Sequence, residues 1–453
     1  MLQKCLSTIY SRKIRKMDLT KQIKTKIVLA SILVSSFSFS QTLDLNTCLK
    51  MADTANLTIR NSRLDIASNS EQTRAFKSSL LPKVNYSGDY RYYPAIPGSL
   101  FPAEFSGGQK GQYTVVQFGV PFTFGNTVQL NQTIYNPLIN SALHSLELNQ
   151  KIIELQSKVT TQNIQYQVYQ TFFNLQAISK QILFIEGNLT NIDKTLKNIS
   201  LLISQKMVLP IEEDKLKVNR LNLVNQQQKL TATKDQLELL LKILIGLDSN
   251  SKIELTTDDM IEKPLIVDNL QRNNTELEII NVQKELNMNE KTGLKMAYLP
   301  TFSFYAAYNY SYNMRPESNF TKGISSSFIG IRIDWTLFDG FEKHNKAKVN
   351  KIQSEKINNQ LELIDQQLEM ATMNAKKQVE IQINSLLISK EQLALSEKIY
   401  NQTEISFNQG IISSNDLIKA ENDLNQSQTN VISSYVQLRQ AELDYLKATG
   451  NLK

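Results

Sequence analysis

His144 and His344 are the two histidines of the 453-residue chain. Each stands in a long helical run without a second His or Cys at ligand spacing, so neither founds a metal site. Acid pairs such as Glu212-Glu213 fall on solvated helix ends, where paired carboxylates are ordinary surface charge. No G-x-x-x-x-G-K-[ST] or G-x-G-x-x-G run occurs, which removes the nucleotide sites those patterns build. Asp214 and Asp416 open leucine-rich helices, where an acid favours the positive end of the helix dipole. The expectation is a protein that is not an enzyme, carries no cofactor, and draws its energy from a partner.

The charge balance points the same way. Of 50 basic and 43 acidic residues, eight basic ones (Lys4, Arg12, Lys13, Arg15, Lys16, Lys21, Lys24, Lys26) and one acid, Asp18, lie in residues 1–40. The remainder is balanced, so the basic whole-chain pI is no argument for nucleic acid. Those forty residues have the layout of an export signal: a basic stretch, an apolar core at Ile27–Val34, and small residues Ser38 and Ser40 before a cut at Gln41. The apolar core is too short to span ~30 Å of hydrocarbon as a helix. Met17 is an alternative start, because residues 17–40 already make a complete signal. Cleavage removes Cys5 and leaves Cys48 alone, so no intrachain disulfide forms.

The elements that would position any working residue are repeated. Leu81-Pro82-Lys83-Val84-Asn85-Tyr86 answers Leu299-Pro300-Thr301-Phe302-Ser303-Phe304, and Gln132–Asn136 answers Trp335–Asp339. A long helical run comes after each pair, then Leu209–Asp214 in one copy and Ile411–Asp416 in the other. The copies end at Gly246 and Gly450. They divide the mature chain into 41–247 and 268–453, with a linker at 248–267. Within each copy the expected order is helix (43–77 and 268–296), two strands, a long helix, and a final helix (212–246 and 414–449). The long helical runs are nearly free of Pro and Gly. Leu148, Ile152, Leu155, Val159, Tyr166, Tyr169 and Phe173 recur there at steps of four and three, with Gln162 the one polar entry, a coiled-coil seam. The final helices keep a strict seven, with Leu216, Leu223, Leu230, Leu237 and Leu244 matched by Leu417, Leu424, Val431, Leu438 and Tyr445. Such a period implies left-handed supercoiling.

The strands alternate. Val84, Tyr86, Tyr90 and Tyr92 align in the first, and Val116, Phe118, Val120, Phe122 and Phe124 in the second, which runs on through Val128, Leu130 and Ile134 unless Gly125-Asn126 breaks it. Phe302, Phe304, Ala306, Tyr308, Tyr310 and Tyr312 share a face of the third, and Ile329, Ile331, Ile333, Trp335 and Leu337 a face of the fourth. One Tyr-rich apolar face over one polar face is the pattern of an outer-membrane β-barrel. Four strands cannot close a barrel, and lipid forbids an open edge. Several chains must then share one barrel; three would give twelve strands, and closure alone also allows two chains.

Leu43-Asp44-Leu45-Asn46-Thr47-Cys48-Leu49, the two Leu-Pro strand entries, Leu337-Phe338-Asp339-Gly340, and Gly410 through Asp416-Leu417-Ile418-Lys419-Ala420 to Gly450 together resemble the TolC family of outer-membrane efflux proteins. The resemblance covers essentially the whole mature chain. It implies an α+β membrane protein of a Gram-negative bacterium, a homotrimer whose four strands per chain make a 12-stranded β-barrel in outer-membrane lipid. A long antiparallel α-helical coiled-coil barrel then continues into the periplasm. It implies a passive conduit for drugs and other toxic small molecules, driven by an inner-membrane transporter through a periplasmic adaptor. The family's adaptor-docking turns fall on Val208 and Leu209 and on Gly410 and Ile411. Its acidic tunnel constriction falls on Asp416, with Lys419 where some members hold a second acid. A type I protein-secretion channel and a non-conducting exported coiled-coil scaffold are the alternatives, the polar strand face favouring a channel.

Overall fold

The computed structural model describes residues 41–255 and 274–452. The expected export signal, the later part of the 248–267 linker and the expected helix start at 268 lie outside them. The described residues divide into two units, one drawn from 41–60, 160–255 and 368–452, the other from 61–159 and 274–367. Each unit therefore takes residues from both sequence repeats.

The helices are α1 (Leu45–Ala55), α2 (Leu57–Ser78), α3 (Ile139–Ser204), α4 (Pro210–Ile245), α5 (Thr275–Met296), α6 (Glu342–Asn408) and α7 (Ser414–Thr449). Their lengths match across the repeat: 22 residues in both α2 and α5, 66 and 67 in α3 and α6, 36 in both α4 and α7.

The second unit holds a four-stranded antiparallel sheet built from β2 (Lys83–Tyr92), β5 (Phe122–Tyr135), β7 (Thr301–Arg315) and β8 (Phe320–Asp334), in the order β2-β5-β7-β8. The register lines the alternating residues into rows. Val84, Leu130, Ala306 and Ile329 form one row and Tyr90, Phe124, Tyr312 and Gly323 another, while Ser87, Thr127, Asn309 and Ser326 stand in a row on the opposite face. Between the two apolar rows the same face carries Gly88, Asn126, Tyr310 and Ser325, and the opposite face carries Phe328 and Ile324 of β8, so the period of two gives a mainly apolar face and a mainly polar one. Within the chain, β2 and β8 are both edge strands.

Three strand expectations are corrected. The second expected strand is two elements: Gly119 (φ 141°) and Pro121, whose nitrogen has no hydrogen to donate, interrupt it. Residues before the break form β4 (Tyr113–Gln117), which pairs with β3 (Gly98–Pro102) in a separate hairpin, and β5 runs unbroken through Gly125-Asn126. Ile134 is the extra residue of a bulge, so Tyr135 takes the row opposite Phe302. The last strand stops at Asp334. Trp335 turns out of it, and its indole N–H donates to the Tyr298 carbonyl at 3.0 Å.

Helices in the same unit pack by the expected seam. Leu148, Ile152 and Leu155 of α3 bury against Val282 of α5. Ser62 of α2 meets Ser157 of α3 at 2.9 Å, and Asn350 of α6 donates to the Asn287 carbonyl of α5 at 3.1 Å.

In the first unit the expected single helix over 43–77 is broken at Asn56, which is extended (ψ 127°). Its side-chain oxygen caps α2 by accepting from Thr58 and Ile59, while its amide donates to the Leu244 carbonyl at 2.9 Å. One residue thus ends α1, starts α2 and holds the C-terminus of α4. Gly246 is required there twice: its φ is 71°, and a Cβ would lie 2.6 Å from that of Ala55. β1 (Gln41–Leu43) pairs in parallel with β6 (Ile253–Leu255) beside a core of Cys48, Ala52, Ile59, Val168, Phe172, Leu175, Leu241 and Leu443.

Below that core, α6 and α7 form an antiparallel pair. Ser389 meets Ser434 at 2.9 Å and Ser396 meets Ser427 at 2.8 Å, seven residues apart on each helix. α6 carries two stripes of seven. Val379, Leu386, Leu393, Tyr400 and Phe407 lie in or against the buried clusters. Ile381, Ile388 and Leu395 are exposed, as are Met370, Met373 and Ile399.

Candidate functional site

The first unit contains two helix-to-helix turns built alike. At the end of α3, Lys206 donates to Ile203 and Met207 donates back to Leu202; at the end of α6, Gly410 donates to Phe407 and Ile411 to Ser406. This paired pattern closes a helix through a left-handed residue. Lys206 (φ 63°) and Gly410 (φ 74°) fill that position. The first turn therefore has its glycine equivalent one residue before the Met207-Val208-Leu209 stretch, occupied by lysine.

Of the four expected docking residues, Leu209 and Ile411 are each 70% exposed, and Gly410 shapes the turn between α6 and α7. Val208 is turned inward and packs with Ile412 on the cluster of Ile199, Leu216, Tyr400, Phe407, Leu417, Ala420 and Leu424. Met207 and Ile211, which are not among the four expected docking residues, are exposed as Leu209 is. Aligning Lys206 with Gly410 would have found Met207 as the partner of Ile411.

The helices leaving these turns start differently. Pro210 occupies the first position of α4 after an uncapped Leu209, as a residue with no N–H to satisfy can do. Glu212 and Glu213 hold its first turn; Asp214 lies beyond it and approaches Lys217 at 3.9 Å. At α7, Ser413 and Asp416 form a capping box, with the Asp416 carboxylate accepting from the Ser413 N–H at 3.2 Å and its hydroxyl at 2.8 Å. Asp416 and Lys419 lie three residues apart on α7, and both are exposed. The hydroxyl of Ser414 bonds the Glu212 carboxylate, joining the starts of α7 and α4.

His144 sits in the second turn of α3, 3.5 Å from Glu147, and His344 near the start of α6. Among the described residues no group of three or more His, Cys, Asp or Glu gathers at metal-binding distance. No described helix is long and apolar enough to cross a membrane.

A model of the family described as "Outer membrane efflux protein" matches residues 294–451. No curated protein matches the chain. Solved structures do. The CmeC outer membrane channel of Campylobacter jejuni aligns with a TM-score of 0.71 at 14% identity, over 90% of this chain and 85% of that one. The outer membrane protein VceC of Vibrio cholerae aligns with a TM-score of 0.68 at 11% identity, over 90% and 96%. The open state of the Neisseria gonorrhoeae MtrE outer membrane channel gives 0.69 at 13%, over 90% and 89%. Such identities carry fold, and the family model carries the sequence likeness. In sequence over residues 294–451, and in fold over nine-tenths of its length, this chain resembles the outer membrane efflux protein family.

Proposed function

We propose that the chain is the outer-membrane channel of a tripartite efflux system, a passive conduit for small molecules. Three copies close one twelve-stranded barrel, and the helical part lies in the periplasm. The observation that carries this is the sheet: one mainly apolar face, one mainly polar face, and two edges unpaired within the chain. An apolar face suits lipid and a polar face suits a water-filled lumen, while open edges are admissible in a bilayer only when another copy pairs with them. The paired turns bearing Met207, Leu209 and Ile411 support docking of a periplasmic adaptor, through which an inner-membrane transporter supplies the energy. Asp416, carried by three symmetric copies, would place a ring of carboxylates near the tip, tempered by Lys419 one turn on.

Planar-bilayer conductance of purified, crosslinked protein tests this reading. Stable pores from a three-subunit species are expected. A folded three-subunit species that never conducts, with or without the tip turns loosened by mutation, would replace the channel with a structural stalk.

A further inference from the structure

Glu421 lies on α7 about two turns in from its first residue, and it is 4% exposed. One carboxyl oxygen accepts from the Asn219 amide of α4 at 3.0 Å. The other oxygen is buried and has no hydrogen-bond partner. The surroundings are the apolar cluster under the two turns, with Ile199 from α3, Leu216 from α4, Tyr400 and Phe407 from α6, and Leu417 and Leu424 from α7. Tyr400 and Glu404 of α6 are the titratable groups that act on it. Cations on the neighbouring turns of α4 are held elsewhere: Lys215 by Glu212 at 2.9 Å, Lys217 by Glu213 at 3.0 Å, and Arg220 by Asp193 of α3 at 2.7 Å. This burial exists within one chain, so added copies can only deepen it.

We infer that Glu421 is a proton-controlled latch between α4 and α7. With its carboxyl neutral it completes the bridge to Asn219 inside the apolar box. When the proton leaves to solvent, a carboxylate remains with no cation acting on it in the packed form, and separating α7 from α4 and α6 is the way to rehydrate it. Burial pushes the carboxyl up to about 8, the Asn219 hydrogen bond opposes that rise, and Glu404 adds to it. An exposed glutamate titrates near 4.5. The raised value means the packed form is fully favoured below that pH, and this stabilisation is lost as pH climbs from there through about 8. The two turns above the latch would then loosen in mildly alkaline conditions. Any effect on an aperture rests on the channel reading, whereas the latch itself does not.

Hydrogen exchange of the intact protein in detergent, followed over 210–220 and 414–424 and corrected for intrinsic rates, tests it. The opening equilibrium of these segments in the parent should rise about tenfold per pH unit, or about 100-fold from pH 5.5 to 7.5, and level off above about 8. Glu421→Gln, which keeps an acceptor for Asn219 without the titration, should be flat. If that variant misfolds, Asn219→Leu serves instead. Removing the hydrogen bond that favours the charged form should move the plateau to higher pH. A pH-independent parent, a Gln variant that keeps the parent's slope, or a plateau that Asn219→Leu leaves in place would each overturn the latch. Exchange reads packing within each chain, so the result stands apart from whether the protein conducts.

Discussion

Lys206 holds a left-handed backbone, as Asn319 and Phe341 also do. A left-handed conformation crowds the Cβ of any L-residue against the following carbonyl, at about 1–2 kcal/mol, and Gly410 avoids that in the matching turn. Lys206→Gly should therefore stabilise the first turn by up to about 1 kcal/mol, part of the gain being offset by a more flexible unfolded chain. Gly410→Ala should destabilise the second by a similar amount. Thermal unfolding of the two variants would show opposite shifts, and shifts of the same sign would refute the equivalence of the turns. Asp416 has a structural job, since its carboxylate closes the capping box of α7. Asp416→Ala should cost about 1 kcal/mol through the lost cap and, if the residue also lines a constriction, reduce cation preference in single-channel recordings. Unchanged ion preference with lowered stability would leave it a cap alone. The place of Asp416 at a helix start was read from the sequence, whereas its reciprocal bonds with Ser413 come from the structure. The matching of Lys206 to Gly410 was not legible in the sequence, because lysine carries no signal for a positive φ.

Among the elements, heptad leucines were the most legible feature. Leu216, Leu223, Leu417, Leu424, Val431 and Leu438 are all buried as their spacing requires. Strand alternation was legible for the same reason, since a period of two survives any register. What the pattern concealed were local breaks: Asn56 reads as one polar residue in a helical run, and only its distant bond to Leu244 reveals it as a junction. Ile134 looked like a member of an apolar row because a bulge changes the count without changing the composition. The serine seam between α6 and α7 was hidden as well, since small polar residues on a helix surface look like solvent-facing ones. Ser434 is only 6% exposed and Ser427 only 2%. Leucine at either position should overpack the seam at about 1–3 kcal/mol, detectable as a lower midpoint in denaturant unfolding, whereas alanine should be milder. A Ser427→Leu variant as stable as the parent would mean the helices have room that the Ser396 contact denies.

At the scale of the molecule, the open edges of β2 and β8 call for neighbours. With Cys48 replaced by alanine, cysteines placed across these edges should crosslink into a ladder that ends at three subunits. A ladder ending at two, or running on without limit, would exclude the twelve-stranded barrel. The second stripe of α6 carries a different consequence. Ile381, Ile388 and Leu395 are wet in a solitary copy, so a chain that has finished its own folding is still sticky. Under the three-copy reading proposed above, encounter between copies is then expected to be the slow step of maturation. Refolding should follow higher-order kinetics in protein concentration, and copies that fail to meet in time should fall to proteases or precipitate.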